Sequence, residues 1–125
     1  MFAHAERAAP LEACGYLAAA GVVVSSCYEM TNTDASEEHF SFDVKEQFAV
    51  IRDARDRGLK ISAVYHSHPK TPARPSAEDL RLAHDPGISY VIISLAAGCR
   101  DVKSYTIING TSENETLEVT DDAQI

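Results

Sequence analysis

His66-Ser67-His68, followed after seven residues by Ser76 and three positions later by Asp79, places metal-binding side chains at a spacing that suits catalytic zinc. The preceding residues, Lys60-Ile-Ser-Ala-Val-Tyr65, have the β-branched and aromatic character of a short buried strand. Side chains two apart on a strand share a face, so His66 and His68 leave together at its C-terminal end. Pro69 ends the ladder because it has no N–H to donate. The loop Lys70-Thr-Pro-Ala-Arg-Pro75 then leads to Ser76, a natural helix N-cap, with Asp79 one turn into the helix. Two imidazoles and one carboxylate leave a tetrahedral ion one open position for water, the arrangement of catalytic rather than structural zinc.

Simpler readings exist for each part. Ser76-Ala-Glu-Asp79 also fits a capping box, in which Asp79 only satisfies backbone donors. His-Ser-His alone is a weak signal, since it fits an exposed strand end. The two roles of Ser76 and Asp79 are compatible, and the joint spacing is what favours a metal site.

A hydrolase built on such a site also needs a group to accept and pass on a proton. Glu12, in Pro10-Leu-Glu-Ala-Cys-Gly-Tyr16, is the best candidate, because it stands at a helix-to-strand junction just before an apolar run. A carboxylate entering a buried strand is costly unless it has a partner. Spacing alone favours the simpler reading, in which Glu12 is a solvated turn residue.

With Glu12 included, the chain resembles the JAMM (MPN-plus) zinc metallopeptidases. Their pattern is Glu, a variable gap, His-Ser/Thr-His, seven residues, Ser, two residues, Asp, and it is met by Glu12, His66, Ser67, His68, Ser76 and Asp79. The likeness runs from about Ala5 to Ile108 and is strongest to a small bacterial branch. Phe-Asp-Val-Lys-Glu-Gln-Phe and Tyr-His-Ser-His-Pro-Lys-Thr-Pro-Ala-Arg-Pro-Ser-Ala-Glu-Asp are among the phrases that carry it.

The resemblance implies Zn²⁺ held by His66, His68 and Asp79, with Glu12 moving the proton and Ser76 donating to an oxyanion. Ser67, on the opposite strand face, is expected to pack or to support the ligands. The implied substrate is a ubiquitin-like sulfur-carrier protein, cut after its C-terminal Gly-Gly, with cysteine as one possible leaving group. An extended tail pairing along a sheet edge suits such a substrate. The resemblance also implies a strand and a helix start ahead of the position matching Met1, so one strand of cover is expected to be missing. The rivals are a non-catalytic MPN-type scaffold, which typically loses ligands or base, and a zinc deaminase, which expects a Cys-x-x-Cys run absent here.

The remaining sequence sets the frame. At 125 residues, 45% hydrophobic and 24% charged, the chain is long enough for one globular domain and too short for two. We read residues 1–120 as that domain and 121–125 as a frayed tail. A net charge of −8 argues against a nucleic-acid partner. No apolar run approaches a membrane span and none resembles a signal peptide. Three widely spaced cysteines, Cys14, Cys27 and Cys99, fit reduced thiols in a cytoplasmic protein, and all three are read as small core residues.

The expected elements are a helix at Phe2–Ala9, a hairpin of Gly15–Ala20 with Val22–Met30, and a short strand at His39–Phe42. Asp43 caps the next helix, with Glu46 completing the box and Val44, Phe48, Ile51 and Ala54 facing the core. Arg52, Arg55 and Arg57 lie on its exposed side, and Gly58 ends it. A Lys60–His66 strand, a Ser76–His84 helix and a Ser89–Ala96 strand follow. Strands at Val102–Ile108 and Thr116–Val119 flank the Asn109-Gly110 turn. His4, His39 and His84 are read as surface residues. The sum is an α/β domain with a mixed central sheet flanked by helices, of the JAMM/cytidine-deaminase-like kind.

Overall fold

Apolar runs, buried almost continuously in the central strands, build a six-stranded sheet. The computed structural model describes residues 1–97 and 100–118. In chain order its elements are α1 (Phe2–Ala8), β1 (Cys14–Ala20), β2 (Val23–Met30), α2 (Val44–Asp56), β3 (Lys60–His68), α3 (Ala77–Leu82), β4 (Ser89–Ser94), β5 (Asp101–Ile108) and β6 (Thr111–Glu115). The strand order is β2-β1-β3-β4-β5-β6. Only β3 and β4 run parallel, joined through α3, and the other pairs are antiparallel. The mixed sheet with flanking helices is the architecture expected. Among the described residues no helix is long and apolar enough to cross a membrane.

Period-two alternation divides β3 between two cores. Ala63 and Tyr65 join Leu17, Val91 and Ile93 beneath Ala5 of α1. Val64 packs with Tyr16 and Met30 on the opposite face, toward Phe40, Phe42 and Val50. Tyr65 lies flat against β1 because residue 15 is glycine: a Cβ there would come within 2.4 Å of the Tyr65 ring and 2.3 Å of the Tyr28 carbonyl. The Tyr65 hydroxyl and His4 Nδ1, 2.7 Å apart, tie α1 to the sheet. His4 is therefore a half-buried tether rather than a surface residue.

Four local expectations change. The strand at 39–42 reduces to a single bridge between Asn32 and Phe42. On α2 only Ala54 of the four apolar residues is buried; Val44, Phe48 and Ile51 are 60%, 65% and 43% exposed. The helix instead turns Val50 inward and fixes its rotation with polar contacts: Gln47 donates to the Tyr16 hydroxyl at 3.0 Å, and Tyr28 donates to Asp53 at 2.5 Å. Asp43 caps the helix as expected, but the Glu46 carboxylate accepts from the Thr31 amide and hydroxyl rather than closing the box. The last strand follows its turn directly, at 111–115 rather than from 116. Asn109 and Gly110 both take positive φ, 51° and 76°, as a two-residue hairpin requires. Cys99, Val119 and the tail at 121–125 lie outside the described residues.

Candidate metal centre

β3 runs two residues farther than expected, so His66 and His68 are both still in the strand, on the face opposite Tyr65 and Ser67. Pro69 then releases the chain into the loop that precedes α3. At its end Ser76 caps α3 with a full capping box: the Ser76 hydroxyl accepts from the Asp79 amide, and the Asp79 carboxylate accepts from the Ser76 amide. This rotates the Asp79 side chain toward the two histidines. The His66 and His68 Nε2 atoms are 3.1 Å apart, and Asp79 Oδ2 lies 3.1 Å from the first and 3.0 Å from the second. One Asp79 side chain thus both completes the cap and faces the two histidines.

The chemistry of these donors calls for a cation. The His68 Nδ1–H donates to the Pro72 carbonyl at 2.9 Å, which leaves Nε2 of the neutral ring with a lone pair aimed at Asp79. A lone pair facing a carboxylate oxygen is repulsive unless a proton or a metal ion lies between them. Among the described residues His66, His68 and Asp79 form the one group of three such side chains able to hold a metal. Their separations of 3.0–3.1 Å are close to the ~3.3 Å edge of a tetrahedral ion with ~2.0 Å bonds. The residues fit a metal ion. Phe40 stacks on the His66 ring, with centroids 4.9 Å apart, and closes one side.

The two carboxyl groups of the site are driven in opposite directions. Burial alone raises the Asp79 pKa, but with no metal bound the hydrogen bonds from His66, from His68 once its Nε2 carries a proton, and from the Ser76 amide outweigh it and hold the carboxyl well below the usual range. For His68 burial works downward, and the Asp79 and Pro72 bonds overcome it to raise the pKa. Glu12 is only 4% exposed, and its Oε1 is buried without a hydrogen-bond partner. Burial pushes its pKa up to about 8, helped by the charges of Asp79, Glu78 and Glu38 and opposed by His68. The solvated-turn reading of Glu12 is therefore excluded.

What fixes Glu12 is its backbone. Its N–H donates to the Ser36 carbonyl at 2.8 Å, and its carbonyl accepts from Asn32 Nδ2 at 3.1 Å. Next door, the Ala13 amide donates to Ser67 Oγ at 2.7 Å while the Ser67 amide donates to the Ala13 carbonyl at 3.0 Å. Ser67 thus joins the Glu12 segment to the histidine strand, the supporting role expected of it. Asn32 was not foreseen. Its Oδ1 accepts from the Asp34 amide at 3.0 Å, an Asx turn, and Asn-x-Asp in a polar loop is the signal that could have marked it. The Cys14 thiol is buried and pushed up to about 12, first by desolvation and then by Glu46 and Glu12, and it lies outside the group of side chains that could hold a metal. His39 pairs with Asp34 at 2.9 Å and His84 is exposed; neither joins the centre.

Beside His66 and Asp79 opens a crevice of about 920 Å³, lined largely by apolar residues of β1, β3, α2 and α3 and by Phe40 and Phe42.

Comparison with known proteins places these features in a family. The model for prokaryotic homologs of the JAB domain matches residues 1–108. A Mycobacterium tuberculosis protein named CysO-cysteine peptidase is 38% identical over 124 residues, 95% of this chain and 84% of the relative. A Haloferax volcanii protein named desampylase is 30% identical over 101 residues, 75% of this chain and 73% of the relative. The solved structure of a protein from Desulfitobacterium hafniense superposes with a TM-score of 0.88 at 43% identity, covering 99% of this chain and 88% of that one.

Proposed function

The chain belongs to the prokaryotic homologs of the JAB domain, and on that premise we propose that it is a zinc-dependent peptidase. Its reaction is hydrolysis of the amide or isopeptide bond after the C-terminal Gly-Gly of a ubiquitin-like sulfur-carrier protein, in the cytoplasm, with cysteine among the leaving groups. The observation that carries this reading is the convergence of His66, His68 and Asp79, electrostatically coupled to the buried Glu12 carboxyl, whose Oε1 has no hydrogen-bond partner. The relatives named CysO-cysteine peptidase and desampylase support the substrate class.

His66, His68 and Asp79 hold the metal. When bound, zinc polarises the scissile carbonyl and acidifies water. Glu12 accepts the proton of the attacking water and delivers it to the leaving amine. A carboxyl poised near neutral pH is suited to both halves of that transfer. The capping box uses Ser76 Oγ as an acceptor, so the exposed Ser76 O–H is free to donate to the oxyanion. Phe40, stacked on His66, and the apolar crevice offer a wall for an extended tail.

The two named relatives carry different activity names, so the test uses both carrier–cysteine and carrier–lysine conjugates with purified zinc-loaded protein, read by mass spectrometry. We expect release of the intact carrier ending in Gly-Gly, abolished by a chelator and restored by Zn²⁺. A folded carrier should be cut faster than a free peptide with the same last residues, because remote contacts help position the reacting bond. Equal turnover of peptide and carrier would make the enzyme a general small peptidase. No turnover of any conjugate with zinc bound would sink the catalytic reading and leave a binding scaffold.

A further inference from the structure

Asp79 is carried by a weak element. α3 is six residues long and none of them is buried, so neither its length nor its packing fixes where Asp79 stands. The loop before it, between Pro69 and Pro75, must do so. Three successive carbonyls of that loop are each captured by a side chain from a different strand. Ser94 Oγ of β4 donates to the Thr71 carbonyl at 2.7 Å, His68 Nδ1 of β3 to the Pro72 carbonyl at 2.9 Å, and the Tyr105 hydroxyl of β5 to the Ala73 carbonyl at 2.7 Å. Ser94 is fully buried, and Tyr105 closes an apolar cluster with Ala73, Ile92 and Ile107, so neither hydroxyl has water as a substitute.

We propose that Tyr105 and Ser94 are positioning residues of the metal centre, acting through the loop carbonyls on both sides of Pro72. The inference rests on the reading of His66, His68 and Asp79 as metal ligands. The middle carbonyl orients His68 and selects the tautomer whose Nε2 faces the centre. The flanking carbonyls hold that middle one in place and set the point at which Ser76 starts α3. Releasing either end therefore disturbs a histidine and the carboxylate at once. Outer partners of metal ligands commonly change affinity by about 10- to 100-fold, and the lower part of that range is expected for residues one step farther out.

The test compares wild type, Tyr105→Phe, Ser94→Ala and Ile107→Val. Ile107→Val thins the same apolar cluster without touching a loop carbonyl. Zn²⁺ affinity is measured by competition with a chromophoric chelator, the ligand geometry by the visible spectrum of the Co²⁺-loaded protein, and the metal-free thermal midpoint in parallel. Tyr105→Phe and Ser94→Ala should each weaken Zn²⁺ binding by about 10-fold and alter the Co²⁺ spectrum, while Ile107→Val lowers the midpoint and leaves both unchanged. If Tyr105→Phe fails to fold, Ser94→Ala carries the test alone. Wild-type affinity and spectrum in the folded hydroxyl variants would overturn the proposal and leave the metal reading intact. So would an affinity loss in Ile107→Val equal to theirs. A wild type that binds no metal would overturn both.

Discussion

The two segments that bring carboxylates to the site are built in opposite ways. Around Glu12 the backbone is tied by Ser36, Asn32 and Ser67, while the carboxyl itself has an oxygen with no partner. Around Asp79 the backbone sits on a short, unburied helix, while one carboxylate oxygen meets His66, His68 and the Ser76 amide. A group that must move a proton needs a fixed base and a free head. A group that must hold an ion needs its head fixed. The same acid chemistry yields two proton affinities far apart, which under the proposed mechanism would supply one site with both a proton carrier and a permanent anion.

The largest effect should come from the fixed head. Asp79→Ala removes one of the three proposed ligands and half of the capping box, so the protein is expected to lose zinc on dialysis and hydrolysis to fall to background. Metal analysis and the conjugate assay check this, with circular dichroism confirming the fold. Zinc retained at full stoichiometry by Asp79→Ala would transfer the metal-binding role to other groups.

The free head should be separable from metal binding. Glu12→Gln keeps the shape of the side chain and the whole backbone clamp, so zinc affinity should stay near wild type while hydrolysis drops by ~10²- to 10⁴-fold. Single-turnover rates on a zinc-loaded variant are the measurement. Near-normal turnover would remove Glu12 from the mechanism and collapse the contrast between the two segments.

How legible each segment is in the sequence follows from where its partners lie. Asp79 and the histidines could be read because strand period, a proline stop and a helix cap are local rules, acting over His66 to Asp79. Glu12 could be read as a carboxylate entering a buried strand, but not its clamp, since Asn32 and Ser67 lie 20 and 54 to 55 residues away. Tyr105 and Ser94 reach the metal loop across 32 and 23 residues, and nothing local distinguishes them from other strand residues. Helix α2 misled for a different reason. Its apolar stripe predicts one buried face, yet polar contacts from β1, β2 and Thr31 fix its rotation and leave Phe48 in solvent. The last strand escaped because Thr111-Ser-Glu-Asn-Glu115 is polar; it pairs by backbone at the sheet edge, where a hairpin turn dictates the register.

The smallest effect sharpens the contrast most directly, in the metal-free protein. Glu12 has an ordinary pKa of 4.5 when unfolded and about 8 when folded. Between those values the folded state holds a proton that the unfolded state has lost, so the Glu12 contribution is fully present below pH ~4.5 and is lost as pH rises toward about 8. His68, also raised, works in the same direction above its ordinary 6.5. Asp79 works in the opposite one: its stabilisation is present above 3.8 and is lost as pH falls through the depressed folded value. One proton can tilt stability by at most about 1.4 kcal/mol per pH unit, so urea titrations across pH 3 to 9 resolve the Glu12 and His68 limb and the onset of the Asp79 limb. Glu12→Gln should flatten the decline between pH ~4.5 and 8 down to the part owed to His68, and Asp79→Asn should remove the loss on the acid side. An unchanged alkaline slope in Glu12→Gln would mean that the carboxyl is partnered or solvated after all, and the free head would no longer distinguish the proton carrier from the ligand.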